Sequence, residues 1–191
     1  MEKKMKQKIG NMNVLYPMPV TIVGATVDNK VNFINIAHVG IFNAVRNHLI
    51  SIGLNKVHYT NAGIKQNKTF SVNLLSQKDV VAVDYIGLVS GKKVDKSSVF
   101  EHYFGELKTA PIITQAPLSM ECRLKDIYDT ELHEVFIGEI VATYADDSAL
   151  NNGKIDIKKV DPLLFDMNSV KYYRLGDVVG DCWSIGKNYK S

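Results

Sequence analysis

Apolar and polar positions alternate along this chain with periods that change from segment to segment, and the changes mark out its elements. Residues 19–26 are apolar and rich in β-branched side chains, Asp28-Asn29 can turn, and residues 31–37 resume an extended pattern. Together these predict a β-hairpin. Residues 40–47 read as a loop. Residues 48–54 and 70–75 alternate and read as strands, with a short helix over 61–67 between them and Thr60 at its N-cap. Ser76 and Asp79 form an S-x-x-D start for a helix that ends at Gly87, and a second capping box runs from Ser98 to Glu101. Long alternating runs over 117–127 and 133–144, separated by YDTEL, predict an antiparallel pair. A further strand is expected over 155–160, and residues 163–173 end in Tyr172-Tyr173 ahead of a glycine-rich tail. Strands outnumber helices, and no regular crossover helices connect them. The expected fold is therefore mainly β, an antiparallel barrel with peripheral helices, and not a doubly wound parallel sheet.

Composition narrows the class without changing that picture. The 191 residues are 46% apolar and 23% charged, which suits one domain spanning 1–191. A net charge of +3 from 23 basic and 20 acidic residues is too small and too dispersed to suggest nucleic acid as a partner. Its one basic run, Lys3, Lys4, Lys6 and Lys8, lies in an N-terminal end, 1–12, expected to be flexible. No apolar stretch approaches the roughly 18 residues of a membrane span, so a soluble, cytoplasmic protein with no membrane partner is expected. Cys122 and Cys182 have no partner at ligand spacing, which gives reduced thiols and no metal site.

Two polar loops carry the candidate chemistry. The first places Asn55, Lys56, His58, Tyr59 and Thr60 just ahead of the short helix, a set of donors at a helix's positive end that suits a phosphate. Just before it, Asn35 and Ala37 fall at the far end of the hairpin, where backbone groups and small side chains let a flat ligand approach. The second loop, LVSGKKVDKSS over 88–98, sets a glycine beside a serine among three lysines. It lacks the spacing of a P-loop. Neither a G-x-G-x-x-G turn after a strand nor a G-x-S-x-G elbow is present.

Several segments, in order and spacing, resemble the flavin reductase-like family of FMN-binding split barrels, in particular its flavoredoxin-like branch. They are YPMPVTIVGA, VNFINIAHVG, ISIGLNKVHYTNAGIKQNKTFSVNLL, DYIGLVSGKKVDK, HEVFIGEIVATYAD and PLLFDMNSVKYYRLGDVVGDCWSIGK. The resemblance implies a six-stranded antiparallel Greek-key barrel that forms a homodimer and holds FMN noncovalently. It places Asn35, Ile36 and Ala37 along the isoalloxazine or ribityl part, and Asn55, His58, Tyr59 and Thr60 at the phosphate. Asn73 and Leu74 would back the ring, while Ser90, Gly91 and Lys96 would reach the flavin from the second loop. A lysine near the flavin N1/C2 edge would stabilise the reduced, anionic ring. The chain departs from the family at Asn55, where arginine is frequent, at His58, where another cation is frequent, and at His38, where tryptophan is frequent. Fewer fixed charges at the phosphate imply weaker binding, with Lys56 a candidate to compensate.

On this resemblance FMN carries the chemistry and no side chain need act as acid or base. Three functions follow from it: an NADH- or NADPH-dependent flavin oxidoreductase, a flavoredoxin-like electron carrier or metal reductase, and a non-enzymatic flavin-binding module.

Overall fold

The computed structural model describes residues 5–189. The first two lysines of the N-terminal basic run lie outside the described residues, and residues 5–11 carry no regular structure. Six long strands make the barrel: β1 (Thr21–Val27), β2 (Lys30–Ile36), β4 (Leu49–Asn55), β5 (Thr69–Leu74), β6 (Leu118–Asp129) and β7 (His133–Ala145). A shorter strand, β3 (Val39–Asn43), is added at one edge, and the sheet runs β2-β1-β5-β6-β7-β4-β3 with every pairing antiparallel. The mainly-β, Greek-key barrel expected from the sequence is thus observed, with a seventh strand where a loop was expected over 40–47. Val39 pairs with Ile52 and Gly40 with Ser51, so the edge of β4 supplies a partner that local pattern did not show.

The hairpin β1–β2 turns on Asp28 and Asn29, both in the left-handed region at φ 48° and 62°. Asp and Asn tolerate that region, and a two-residue turn of this kind matches the strands' twist. β1 is buried on both faces because Val23 and Ala25 face the barrel interior with Ile52, Leu54, Phe70 and Phe136, whereas Ile22 faces a second cluster with Phe33, Val83, Ile86 and Phe100. That two-sided burial is why residues 19–26 read as continuously apolar.

Helix α1 (Thr60–Asn67) crosses close to β1 at Gly63, where an added Cβ would lie 2.3 Å from the Thr26 carbonyl oxygen. Its N-cap residue is Tyr59, one position before the expected Thr60, and no side chain caps it. The Thr60 hydroxyl instead accepts a 2.7 Å hydrogen bond from Asn32 on β2. Helix α2 (Val80–Leu88) packs Val83 and Ile86 against β2 and follows a single 3-10 turn over Gln77–Asp79.

Three further expectations change. Only Lys154–Ile155 of the strand expected over 155–160 is extended; Ile157–Val160 form a turn of helix, α3, because the Asp156 carboxylate accepts from the Lys158 amide at 3.0 Å. No helix follows Ser98; the chain runs instead into a strand, His102–Phe104, paired with Pro111–Ile113. Residues 163–173 divide into two short strands, Leu164–Asp166 and Lys171–Tyr173, around a turn held by Asp166. Among the described residues no helix is long and apolar enough to cross a membrane.

Candidate functional site

Two cavities share His58: the larger opens between the end of the barrel and residues 165–172, the smaller between the barrel, the end of α2 and the 88–98 loop. The larger, of about 340 Å³, takes Asn35, Ile36 and Ala37 from the end of β2, Asn55 from the end of β4, and apolar walls from Val20, Phe165, Met167 and Tyr172. The smaller, of about 200 Å³, is polar: Tyr59 and Thr60 enter from the start of α1, and Ser90, Gly91 and Lys96 from the second loop. Ten of the twelve expected site residues therefore meet in one place, although they come from stretches far apart in sequence.

Lys96 dominates the electrostatics of the smaller cavity. It is 3% exposed, its ammonium donates to the backbone oxygens of Ile86 (2.6 Å) and Phe33 (3.2 Å), and no carboxylate pairs with it among the described residues. Ile86 lies near the C-terminal end of α2, where a cation complements the helix dipole and satisfies an orphan carbonyl. Burial still pushes the Lys96 pKa down to about 8. An ammonium has three donors, so one remains for an anion. Lys96 lines the smaller cavity and not the larger, more apolar one.

His58 is held at the junction by its amide, which donates to the Asn55 carbonyl at 3.0 Å. Its buried Nδ1 has no hydrogen-bond partner. Burial first, then coulombic repulsion from His133 and Lys96, lowers its pKa, which favours the neutral imidazole. Lys56 pairs with Asp129 at 2.6 Å and lines neither cavity. The Asn55 side chain accepts from the Val57 amide at 3.1 Å and shapes the loop. The Tyr59 hydroxyl donates to Asp28 at 2.9 Å, which raises its pKa.

Asn73 and Leu74 line neither cavity. Asn73 is fully buried and spends its side chain on the barrel wall, accepting from the Ile113 amide and the Ser119 hydroxyl and donating to the Ile22 carbonyl and the Ser71 hydroxyl. Sequence reasoning did not assign His38, His133 and Tyr172 to the site. His133 faces Asn55 in the β7–β4 register, His38 lies 6.0 Å from it between ring centroids, and the Tyr172 hydroxyl donates to Asp84 on α2 at 2.8 Å. The alternation of residues 133–144 carried the signal for His133, since it fixes which residues of β7 point toward the end of β4. The Cys122 thiol is buried in the barrel, where burial pushes its pKa up, and Cys182 lies exposed in the C-terminal tail. Neither touches the cavities.

A barrel of this topology with a polar pocket at the α1 end defines a class that comparison identifies. Residues 12–174 match the flavin reductase like domain, and the chain belongs to that family. The flavoredoxin-like branch is also borne out: the chain is 44% identical to a flavoredoxin from Methanosarcina acetivorans, over 96% of this chain and 98% of that one, with a TM-score of 0.93. It is 32% identical to a flavoredoxin of Desulfovibrio vulgaris (Miyazaki F), over 95% and 100%, with a TM-score of 0.87. An FMN-binding protein from Thermus thermophilus, 20% identical over 95% and 99%, shares the fold at a TM-score of 0.77. By sequence alone the chain is 26% identical over 120 residues to an Aeropyrum pernix protein, a match that covers 61% of this chain and only 45% of that curated relative's length.

Proposed function

We propose that this chain is a flavoprotein oxidoreductase that holds FMN noncovalently and moves electrons from NADH or NADPH to an acceptor. The observation that carries this reading is Lys96, a buried ammonium with no acidic partner, facing a polar cavity beside a larger, mostly apolar one. Polar and apolar compartments of this kind fit the phosphate and the ring of a flavin. The residues present suit the group: Ser90, Thr60 and Lys96 offer hydroxyl and ammonium donors, the Nδ1 of His58 lacks a partner, and Asn35, Ile36 and Ala37 offer a strand end with Tyr172 and Phe165 opposite. A bound flavin supplies reversible electron uptake and release. The chain's own part is to orient the ring, hold the anionic end with Lys96 and keep the apolar face dry.

A second reading is a flavoredoxin-like carrier or metal reductase not reduced by nicotinamide nucleotides. It is favoured by the names of the two relatives above 30% identity and by the missing dinucleotide fingerprint. The visible spectrum of the purified protein, followed anaerobically, separates the readings. Flavin bands that bleach with NADH or NADPH are expected for the oxidoreductase. Bands that persist until dithionite is added would favour the carrier, and a colourless protein that takes up no FMN would overturn both.

The pKa values give flavin binding a signed pH dependence. The anion requires protonated Lys96, so FMN affinity is expected to be full at neutral pH and to fall by up to about tenfold per pH unit above about 8. Lowered as it is, His58 adds affinity only on the acid side of the ordinary histidine range. FMN titrations that give the same Kd at about pH 7 and about pH 9.5 would contradict the role of Lys96. In the flavin-free protein the sign is opposite: between about 8 and 10.5 the unfolded chain binds more protons at this lysine, so stability contributed there rises with pH.

The protein is further proposed to act as a homodimer. Ile41 (82% exposed) and Phe42 stand out from the edge strand β3, and Val179 and Trp183 (94%) from the tail, as large exposed apolar side chains. Sedimentation is expected to give twice the chain mass of 21.3 kDa, and a monomeric mass would refute the dimer.

A further inference from the structure

The C-terminal tail displays an aromatic side chain on an ordered turn. Past the strand Lys171–Tyr173 every described residue is exposed, yet the tail has a fold of its own. The Ser184 and Ile185 amides donate to the Asp181 carbonyl at 3.2 and 3.0 Å, and Ile185 packs so close on Gly180 that a Cβ there would lie 2.3 Å from its Cδ1. Within this turn Trp183 sits in the left-handed region at φ 60°, which a bulky side chain rarely adopts. It is almost fully exposed, as are Val178 and Val179 just before it. An ordered turn that presents such side chains to water is the mark of an interaction surface.

A groove that the proposed flavin site does not use has the shape and chemistry to cover it. The groove measures about 430 Å³, is walled by Leu15, Met18 and Val135, and shares His38, Gly53 and His133 with the larger flavin cavity. Its lining suits an indole. Apolar side chains face the ring, two imidazoles 6.0 Å apart between centroids offer edge-to-face contact, and the Asn13 side-chain carbonyl can accept from the indole N–H.

Surface area identifies the occupant. The chain exposes 12700 Å², whereas a compact monomer of 21.3 kDa exposes about 9,100 Å². The difference, about 3,600 Å², exceeds the roughly 1,000–2,500 Å² that each chain buries in an obligate homodimer. Two unbroken runs of exposed residues contribute to it: 5–15, which brings Leu15 to the groove, and 173–189, which carries Trp183. Groove and tail both belong to this surplus surface, and a second copy of the chain supplies the complementary half of each.

We propose that the two copies of the homodimer exchange tails, so that Trp183 of each seats in the groove of the other and closes the outer side of the flavin cavity beside His38 and His133. The proposal rests on the homodimer reading above and makes that cavity incomplete in a single chain.

Trp183 is the chain's only tryptophan, so the intrinsic emission of the full-length, flavin-free protein reports on it alone. The expected result is blue-shifted emission, shielded from iodide, at concentrations where sedimentation gives the dimer, and the emission of an exposed indole after dilution to the monomer. Leu15→Asp, at a position 81% exposed and therefore expected to fold, should expose the indole at a concentration where the wild type is dimeric. Trp183→Ala is expected to raise the dimer dissociation constant by at least about 100-fold, since each dimer loses two buried tryptophan anchors. Exposed-indole emission from a dimeric wild type, or blue-shifted emission that survives in the dilute monomer, would overturn tail exchange and leave the homodimer standing. So would a dissociation constant of Trp183→Ala within about threefold of the wild type. A wild type that is monomeric at every concentration would instead refute the homodimer on which the proposal rests.

Discussion

Replacing Lys96 by methionine is expected to weaken FMN binding by about 100-fold or more, because a buried, hydrogen-bonded charge facing an anion is worth about 2–5 kcal/mol when one partner is truncated. Methionine keeps the length and most of the volume of the lysine stem, so the cavity walls stay in place. Its effect on the flavin-free protein should be far smaller. Loss of the ammonium leaves the Ile86 and Phe33 carbonyls without that donor, which is destabilising. Against this, the substitution removes the desolvation that pushes the lysine pKa down to about 8, which is stabilising. The two effects oppose, and unfolding of the flavin-free variant in urea is expected to differ from wild type by less than about 2 kcal/mol. Fluorescence titration of FMN and urea unfolding measure the two quantities separately. An FMN Kd within threefold of wild type in a stably folded variant would remove Lys96 from the site.

The second large effect is expected at Asn73, and it falls on stability instead of binding. Asn73→Leu nearly conserves shape but deprives the Ile113 amide, the Ser119 hydroxyl, the Ile22 carbonyl and the Ser71 hydroxyl of a fully buried partner at once. Each buried group left unsatisfied costs about 1–3 kcal/mol, and partial relaxation brings the expected total to about 3–5 kcal/mol. Asn73 joins β5 to β1 and to the segment Pro111–Ile113, so the loss weakens the seam between the barrel and its outer cover. Denaturant unfolding measures the change. FMN affinity of the folded fraction should be unaltered. A variant with wild-type stability and no FMN affinity would return Asn73 to the ring-backing role that family resemblance implies.

These two residues show how the chain's local pattern and its tertiary structure divide the information. The segment containing Lys96 was marked by a glycine and serine among lysines, a pattern visible in one stretch. Which lysine is buried was not visible, because Lys92, Lys93 and Lys96 differ only in what packs over them: α2 and β2 close on Lys96 alone. Asn73 reads, in sequence, as the polar member of an alternating strand. Only the approach of Ile113 from 40 residues further on turns it from a surface-like residue into a fully buried anchor.

The chain's own sequence determined the strand and helix pattern of the barrel, the β1–β2 turn at Asp28-Asn29 and the two polar loops. Those features depend on side-chain period and on the backbone preferences of a few residues, which are local. The tertiary structure alone decided the edge strand β3, the helical turn after Asp156, and the gathering of His38, His58 and His133 about one cavity. Each depends on a partner distant in sequence or on competition between a local cap and a sheet ladder, and neither leaves a periodic trace. The seat of charge was decided in the same way, since a lysine's burial follows from the elements that close over it.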